Sequence, residues 1–152
     1  MEPVEPKRDT FIVALTLLSA RELSETQLRA RLTRRQHHPD DIDQAIARLK
    51  QDRTLDDRRV ARALARMETA IKHRGRARVI QKIRQAGIAS SIAEEAVNEV
   101  FEEVDESELL NRALDRRLRG KTARDLDERG RARIVRGLMA QGFSLESILK
   151  KL

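Results

Sequence analysis

With 152 residues, no cysteine, no Trp or Tyr and three Phe, the chain must build its core from Leu, Ile, Val, Ala and Met. Disulfides, thiolate metal sites and a cysteine nucleophile are excluded together. Charged residues (38%) nearly equal apolar ones (39%), which suits several small helical units in series, and most of the net charge of +7 sits in a basic block in the middle of the chain, which suggests a polyanion or an acidic protein surface as partner.

Residues 1–9 read as a flexible tail without the charge pattern of a secretion signal, and no apolar run is long enough to span a bilayer, so a cytoplasmic protein without membrane contact is expected. A first unit occupies 10–53. Phe11, Leu15 and Leu18, with Ile12 and Ala14 beside them, have helical spacing. Ser24-Glu25-Thr26-Gln27 fits a capping box, opening a helix that buries Leu28 and Leu32. Pro39 suits the first turn of a third helix carrying Ile42, Ala45, Ile46 and Leu49, with Asp40, Asp41 and Asp43 near its positive end.

A second unit spans 54–104. Thr54 to Asp57 form an N-cap cluster, and Val60, Leu64, Met67 and Ile71 follow as an apolar stripe opposite Arg58, Arg59, Arg62 and Arg66. Gly75 breaks that helix, and the next one bears Val79, Ile80 and Ile83. Gly87 stands where a left-handed C-terminal stop is expected, and Ile92, Ala93, Ala96, Val97, Val100 and Phe101 give a third stripe. The third unit, 105–152, opens at Asp105 and carries Leu109, Leu110, Ala113, Leu114 and Leu118. A longer polar connection, about 119–129, leads to Ile134, Val135 and Leu138, the Gly142 stop, and a last helix with Leu145, Ile148, Leu149 and Leu152.

The units repeat one another. Gly75-Arg76-Ala77-Arg78-Val79-Ile80 returns as Gly130-Arg131-Ala132-Arg133-Ile134-Val135, and Gly87-Ile88 returns as Gly142-Phe143. The first unit aligns too, but Gln36-His37 replaces the glycine stop and its apolar neighbour. The expected fold is all-α, a tandem array of three three-helix repeats, elongated or curved, which offers a long face to a partner.

Charge is segregated within this array. Residues 58–84 hold ten Lys/Arg against Glu68 alone, and 94–108 hold eight Asp/Glu and no Lys/Arg. Arg58, Arg62 and Arg66, spaced by four, share one stripe. Lys72, Arg74, Arg76 and Arg78 surround the Gly75 break, and Lys82 lies one turn on. Arg112, Arg116 and Arg119 repeat the stripe in the third unit, and Arg131 and Arg133 repeat the helix-start pair. These are the candidate partner- or phosphate-binding residues, able to hold phosphates of single- or double-stranded DNA. Phe11, Phe101 and Phe143 lie on apolar stripes, so any DNA binding should be directed at the backbone rather than at stacked bases.

Nothing in the pattern supports catalysis. There is no Gly-rich phosphate loop and no Ser/His/Asp arrangement, and His37-His38 near Asp40 and Asp41 lacks a third metal ligand at useful spacing. No cofactor is expected, and a monomer is. The 75–97 helix pair could serve a helix-turn-helix or sequence-nonspecific DNA-binding regulator, but its repetition at 130–152 favours a scaffold over one reading head.

The stretch Leu55-Asp56-Asp57-Arg58-Arg59-Val60-Ala61-Arg62-Ala63 resembles the entry to the middle repeat of the RecX family. Arg78 through Ile83, Gly87-Ile88, Glu94-Glu95-Ala96-Val97 and Gln141-Gly142-Phe143-Ser144 extend the similarity over about residues 10–152. The chain departs from the family pattern at Val60, usually aromatic, at Arg53-Thr54, where Gly-Tyr is common, and at Gln36-His37. The resemblance implies a modulator that lodges on filaments of a RecA-type recombinase and represses their ATPase, strand-exchange and coprotease activities.

Overall fold

Pro39 opens its helix and Ser24 closes a capping box in both directions, so the local signals of the first unit are realised as written. The computed structural model describes residues 9–152, and among these it contains nine α-helices, one short 3-10 turn and no strand. The flexible tail expected for 1–9 lies outside the described residues except for Asp9, whose carboxylate accepts from the Phe11 amide and caps the first helix.

Contacts divide the chain into two compact units: the chain through Val60 together with Ala86–Ile88, and Ala61–Gln85 together with Ala89–Leu152. The first holds α1 (Thr10–Ala20), α2 (Glu25–Arg34) and α3 (Pro39–Gln51). Val13, Ala14, Leu23, Leu28, Leu32, Ile42, Ile46, Leu49 and Leu55 form its core, with Phe11, Leu17 and Leu18 packed on it. Each fully buried Leu or Ile contributes about 1.5–3 kcal/mol relative to exposure. The face that α1 buries differs from the expected one. Thr10, Val13 and Ala14 turn inward, whereas Ile12 and Leu15 face solvent. An almost wholly apolar helix has no polar side to fix its rotation, and packing on α2 and α3 sets it instead.

The second unit takes in most of α4 (Asp57–Ala70), then α5 (Arg76–Gln85), α6 (Ser90–Glu103), α7 (Glu106–Leu118), α8 (Glu128–Ala140) and the five-residue α9 (Leu145–Leu149). Its core draws on Val79, Ile83, Ala93, Val97, Leu110, Leu138 and Ile148. Two stripes were placed differently by the spacing. On α4 the buried residues are Val60, Ala61, Ala65, Glu68 and Thr69, while Met67 and Ile71 are 37% and 71% exposed. Two alanines admit close packing that longer side chains would hold apart, so the helix is rotated away from its large apolar residues. In α9 only Ile148 is buried, and Leu145 and Leu149 are exposed. The third-unit connection also ends earlier than expected, because α8 starts at Glu128, capped by Asp127, rather than near Gly130.

The same joint is built twice, once in each unit. In the first, the Ser24 hydroxyl donates to the Ala86 carbonyl and the Thr26 hydroxyl to the Gly87 carbonyl at 3.0 Å. In the second, the aligned positions use backbone alone: Gly75 N–H donates to Gln141 O at 2.8 Å and Ala77 N–H to Gly142 O at 3.3 Å. A Cβ on Gly75 would come within 2.6 Å of the Gly142 carbonyl, and Gly142, at φ +103°, has no room for one against Arg78. Repeat 1 keeps the left-handed stop without a glycine, as Gln36 adopts φ 65° and His37 N–H closes the turn on Leu32 O at 3.2 Å.

Candidate functional site

The basic residues of the middle repeat are brought together on α4, the 71–75 turn and α5, and most of them find partners. Arg62 Nε donates to Glu99 at 2.9 Å. Glu68, only 2% exposed, lies 3.2 Å from Lys72 and 3.0 Å from Arg74. The Arg74 contact is an ion pair without hydrogen-bond geometry, since Glu68 Oε2 and Arg74 Nη1 have no properly aligned partner. His73, at φ 53°, turns the chain so that Arg74 N–H reaches Glu68 O at 3.0 Å. Arg76 sits over the Phe101 ring at 5.0 Å, donates to Asn98 and lies 3.6 Å from Glu106. Arg78 donates to Gln81 at 2.7 Å. Arg58, at the start of α4, has its amide on Asp56.

Glu99 and Glu106 come from the acidic 94–108 stretch, so two charge blocks separated in sequence meet in space. Among the described residues, Arg66, Arg78, Lys82 and Arg84 have no ion pair. Arg66 shares the exposed side of α4 with Ala63, Met67 and Ala70, and Ile71 follows at the helix end. This surface therefore combines an open cation with accessible apolar side chains, a composition suited to a protein partner.

The third repeat presents a different arrangement. Arg112 is 3.6 Å from Glu108, within one helix, and both are well exposed. Arg116, Arg131 and Arg133 have no ion pair among the described residues. Arg116 and Arg133 line a cleft of about 860 Å³ together with Arg117, Arg119, Lys121 and Arg129, and of these four only Arg119 belongs to the repeated stripe. Of the others, Lys121 lies in the 119–127 connection, which replaces the short 71–75 turn of the middle repeat, and Arg117 and Arg129 lie on the helices that flank it. Arg117 is structural: its guanidinium donates to Gly137 O at 3.1 Å and to the Gln141 side chain at 2.9 Å. Asp125 accepts from the Thr122 amide and hydroxyl, both at 2.9 Å, and these bonds hold its carboxyl below the usual carboxylate range.

The aromatic rings take no part in these surfaces as stacking platforms. Phe101 and Phe143 are buried, and Phe11 packs on the first core under Arg48, 3.9 Å from the ring centroid. His37 bonds the Thr10 hydroxyl at 2.8 Å, and His38 Nδ1 accepts from the Asp40 amide as the cap of α3. Among the described residues no helix is long and apolar enough to cross a membrane.

Comparison with known proteins agrees with this architecture. Residues 11–49 match the family model described as RecX, first three-helix domain, and residues 56–97 match RecX, second three-helix domain. A protein of Syntrophotalea carbinolica named regulatory protein RecX is 34% identical over 139 residues, covering 91% of each chain. One of Vibrio parahaemolyticus with the same name is 32% identical over 135 residues, 89% of this chain and 84% of that one. The crystal structure of RecX from Lactobacillus salivarius superposes with a TM-score of 0.80 over 94% of both chains at 20% identity, a likeness of fold.

Proposed function

The chain belongs to the RecX family, and on that premise we propose that it regulates recombinational DNA repair by binding filaments of a RecA-type recombinase and repressing their ATPase, strand-exchange and coprotease activities. The near full-length relationship to proteins named regulatory protein RecX carries this reading. The outer face of α4 is the docking surface best suited to it. Arg62 is held only by an exposed pair with Glu99, of a kind that contributes about 0–1 kcal/mol and is readily exchanged for a carboxylate on a partner. Arg66, Met67 and Ile71 add an unopposed guanidinium and apolar contact area, which together anchor protein interfaces.

The test is recombinase ATPase on single-stranded DNA. The rate falls as the protein is added, and the double variant Arg66→Glu/Met67→Asp represses it less at equal concentration. An unchanged rate at saturating wild-type protein overturns the reading. A regulator acting on DNA without a recombinase would instead bind duplex DNA with a preferred sequence and leave the ATPase untouched.

A further inference from the structure

We infer that the cleft between the end of α7, the 119–127 connection and the start of α8 is a separate binding site for the sugar–phosphate backbone of nucleic acid. The inference deepens the function proposed above by giving the nucleic acid its own seat on the third repeat, apart from the α4 face offered to a protein.

Six cations line the cleft, Arg116, Arg117, Arg119, Lys121, Arg129 and Arg133, against two carboxylates, Asp125 and Asp127. Both carboxylates are spent locally. Asp125 closes the 122–125 turn on Thr122, and Asp127 accepts from Gly130 N–H at 2.7 Å as the cap of α8. That cap occupies the helix end, so an anion in the cleft would be held by side chains and not by free amides. Arg116, Arg119, Arg129 and Arg133 have no ion pair among the described residues, whereas in the middle repeat Arg62 and Arg76 each face a carboxylate and Arg78, the counterpart of Arg133, has its guanidinium on Gln81.

The lining also selects the class of anion. Its apolar residues are consumed by the fold: Ala113 and Ile134 are buried and Leu118 and Leu126 half-buried, so no apolar anchor projects for a protein partner. No aromatic residue is present, which removes base stacking. What remains is five guanidiniums and one ammonium around a polar channel. Guanidinium forks match phosphate oxygens in pairs, and such contacts fix a strand without reading its sequence. At about 860 Å³ the cleft has the scale of a ligand site rather than a surface dimple.

The cleft exists because of one local difference between repeats. The middle repeat links its first two helices by 71–75, a turn pulled inward by Glu68 and by the Gly75–Gly142 crossing. The third repeat uses 119–127, which starts at left-handed Arg119 and Gly120, folds into a 3-10 turn at Ala123–Asp125 and leads into α8 one turn early. The extra residues form a wall where the middle repeat has none.

The experiment uses the full chain and a labelled duplex oligonucleotide with no recombinase present, following anisotropy across a salt series. Wild type binds with affinity that falls steeply with salt. Arg129→Glu/Arg133→Glu weakens binding at least about tenfold, and the slope of log affinity against log salt becomes flatter by about two, one for each phosphate deprived of its guanidinium. Arg119→Gln/Lys121→Gln, in the connection rather than on α8, gives the same direction and guards against misfolding of either variant. Arg34→Glu/Arg35→Glu, a charge-matched pair outside the cleft, keeps the wild-type slope. Cleft variants with native circular dichroism and unchanged affinity and slope overturn the inference. So does binding to polyglutamate in preference to the duplex, which would make the cleft an acidic-protein site. Because no recombinase is present, failure of the filament reading leaves this result standing, and failure here leaves the ATPase result standing.

Discussion

From α4 to the start of α5 four cations meet carboxylates; around the α7–α8 connection four others meet none. In the middle repeat Glu68, Glu99 and Glu106 take up Lys72, Arg74, Arg62 and Arg76. In the third repeat Arg116, Arg119, Arg129 and Arg133 are left unopposed among the described residues. The contrast teaches that linear charge density measures supply, whereas potential at the surface depends on which residues are brought opposite. Within a block of ten cations, two are taken up by the acidic 94–108 stretch and two more by Glu68 of the block itself. A stretch that is nearly balanced in sequence can still expose a basic cleft when its carboxylates are used as helix and turn caps.

The comparison breaks most severely at the crossing that fixes the middle face. Gly142→Ala places a Cβ against Arg78 backbone at a left-handed position, and a loss of about 3 kcal/mol in denaturant unfolding is expected, with α5 released at its start. Next comes Glu68→Gln, which removes the buried carboxylate between Lys72 and Arg74. It should cost about 2–3 kcal/mol, less than a fully buried pair because Lys72 remains 44% exposed, and the loss should shrink when Arg74→Leu is combined with it. Met67→Asp/Ile71→Asp tests the exposed edge of α4. Stability should change by no more than about 0.5 kcal/mol, while the concentration needed for half-repression of the recombinase ATPase rises about tenfold or more. The smallest effect is Glu99→Gln. Freeing Arg62 from an exposed pair should alter the unfolding free energy by about 0–1 kcal/mol, yet make the middle face more basic and its partner binding more salt-sensitive.

Much of the fold was legible from local signals. The capping box at Ser24–Gln27, Pro39 at a first turn, Gly87 and Gly142 as left-handed stops and the apolar spacing of α2, α3 and α5 to α7 all act within a few residues, where propensity and hydrogen-bond geometry decide. The rotations of α1 and α4 were not legible. On each, apolar residues occur on more than one face, and the side that is buried depends on what packs against it. Leu64, Met67 and Ile71 made the more hydrophobic stripe of α4, but Ala61 and Ala65 made the closer fit.

The doubled Gly-Arg-Ala-Arg stretch shows where sequence stops and tertiary structure begins. Sequence alone determined the duplication, the all-helical fold and the residue types available for anion binding, because helical period, caps and glycine stops are local. It did not determine what the two copies do. Gly75 is pressed backbone to backbone on Gly142, with its N–H on the Gln141 carbonyl, whereas Gly130, in the same motif, lies inside a longer helix with its N–H on Asp127. Partner choice for a charge or an amide is set by distance in space, and residues 66 positions apart, such as Gly75 and Gln141, become neighbours only when the chain has folded.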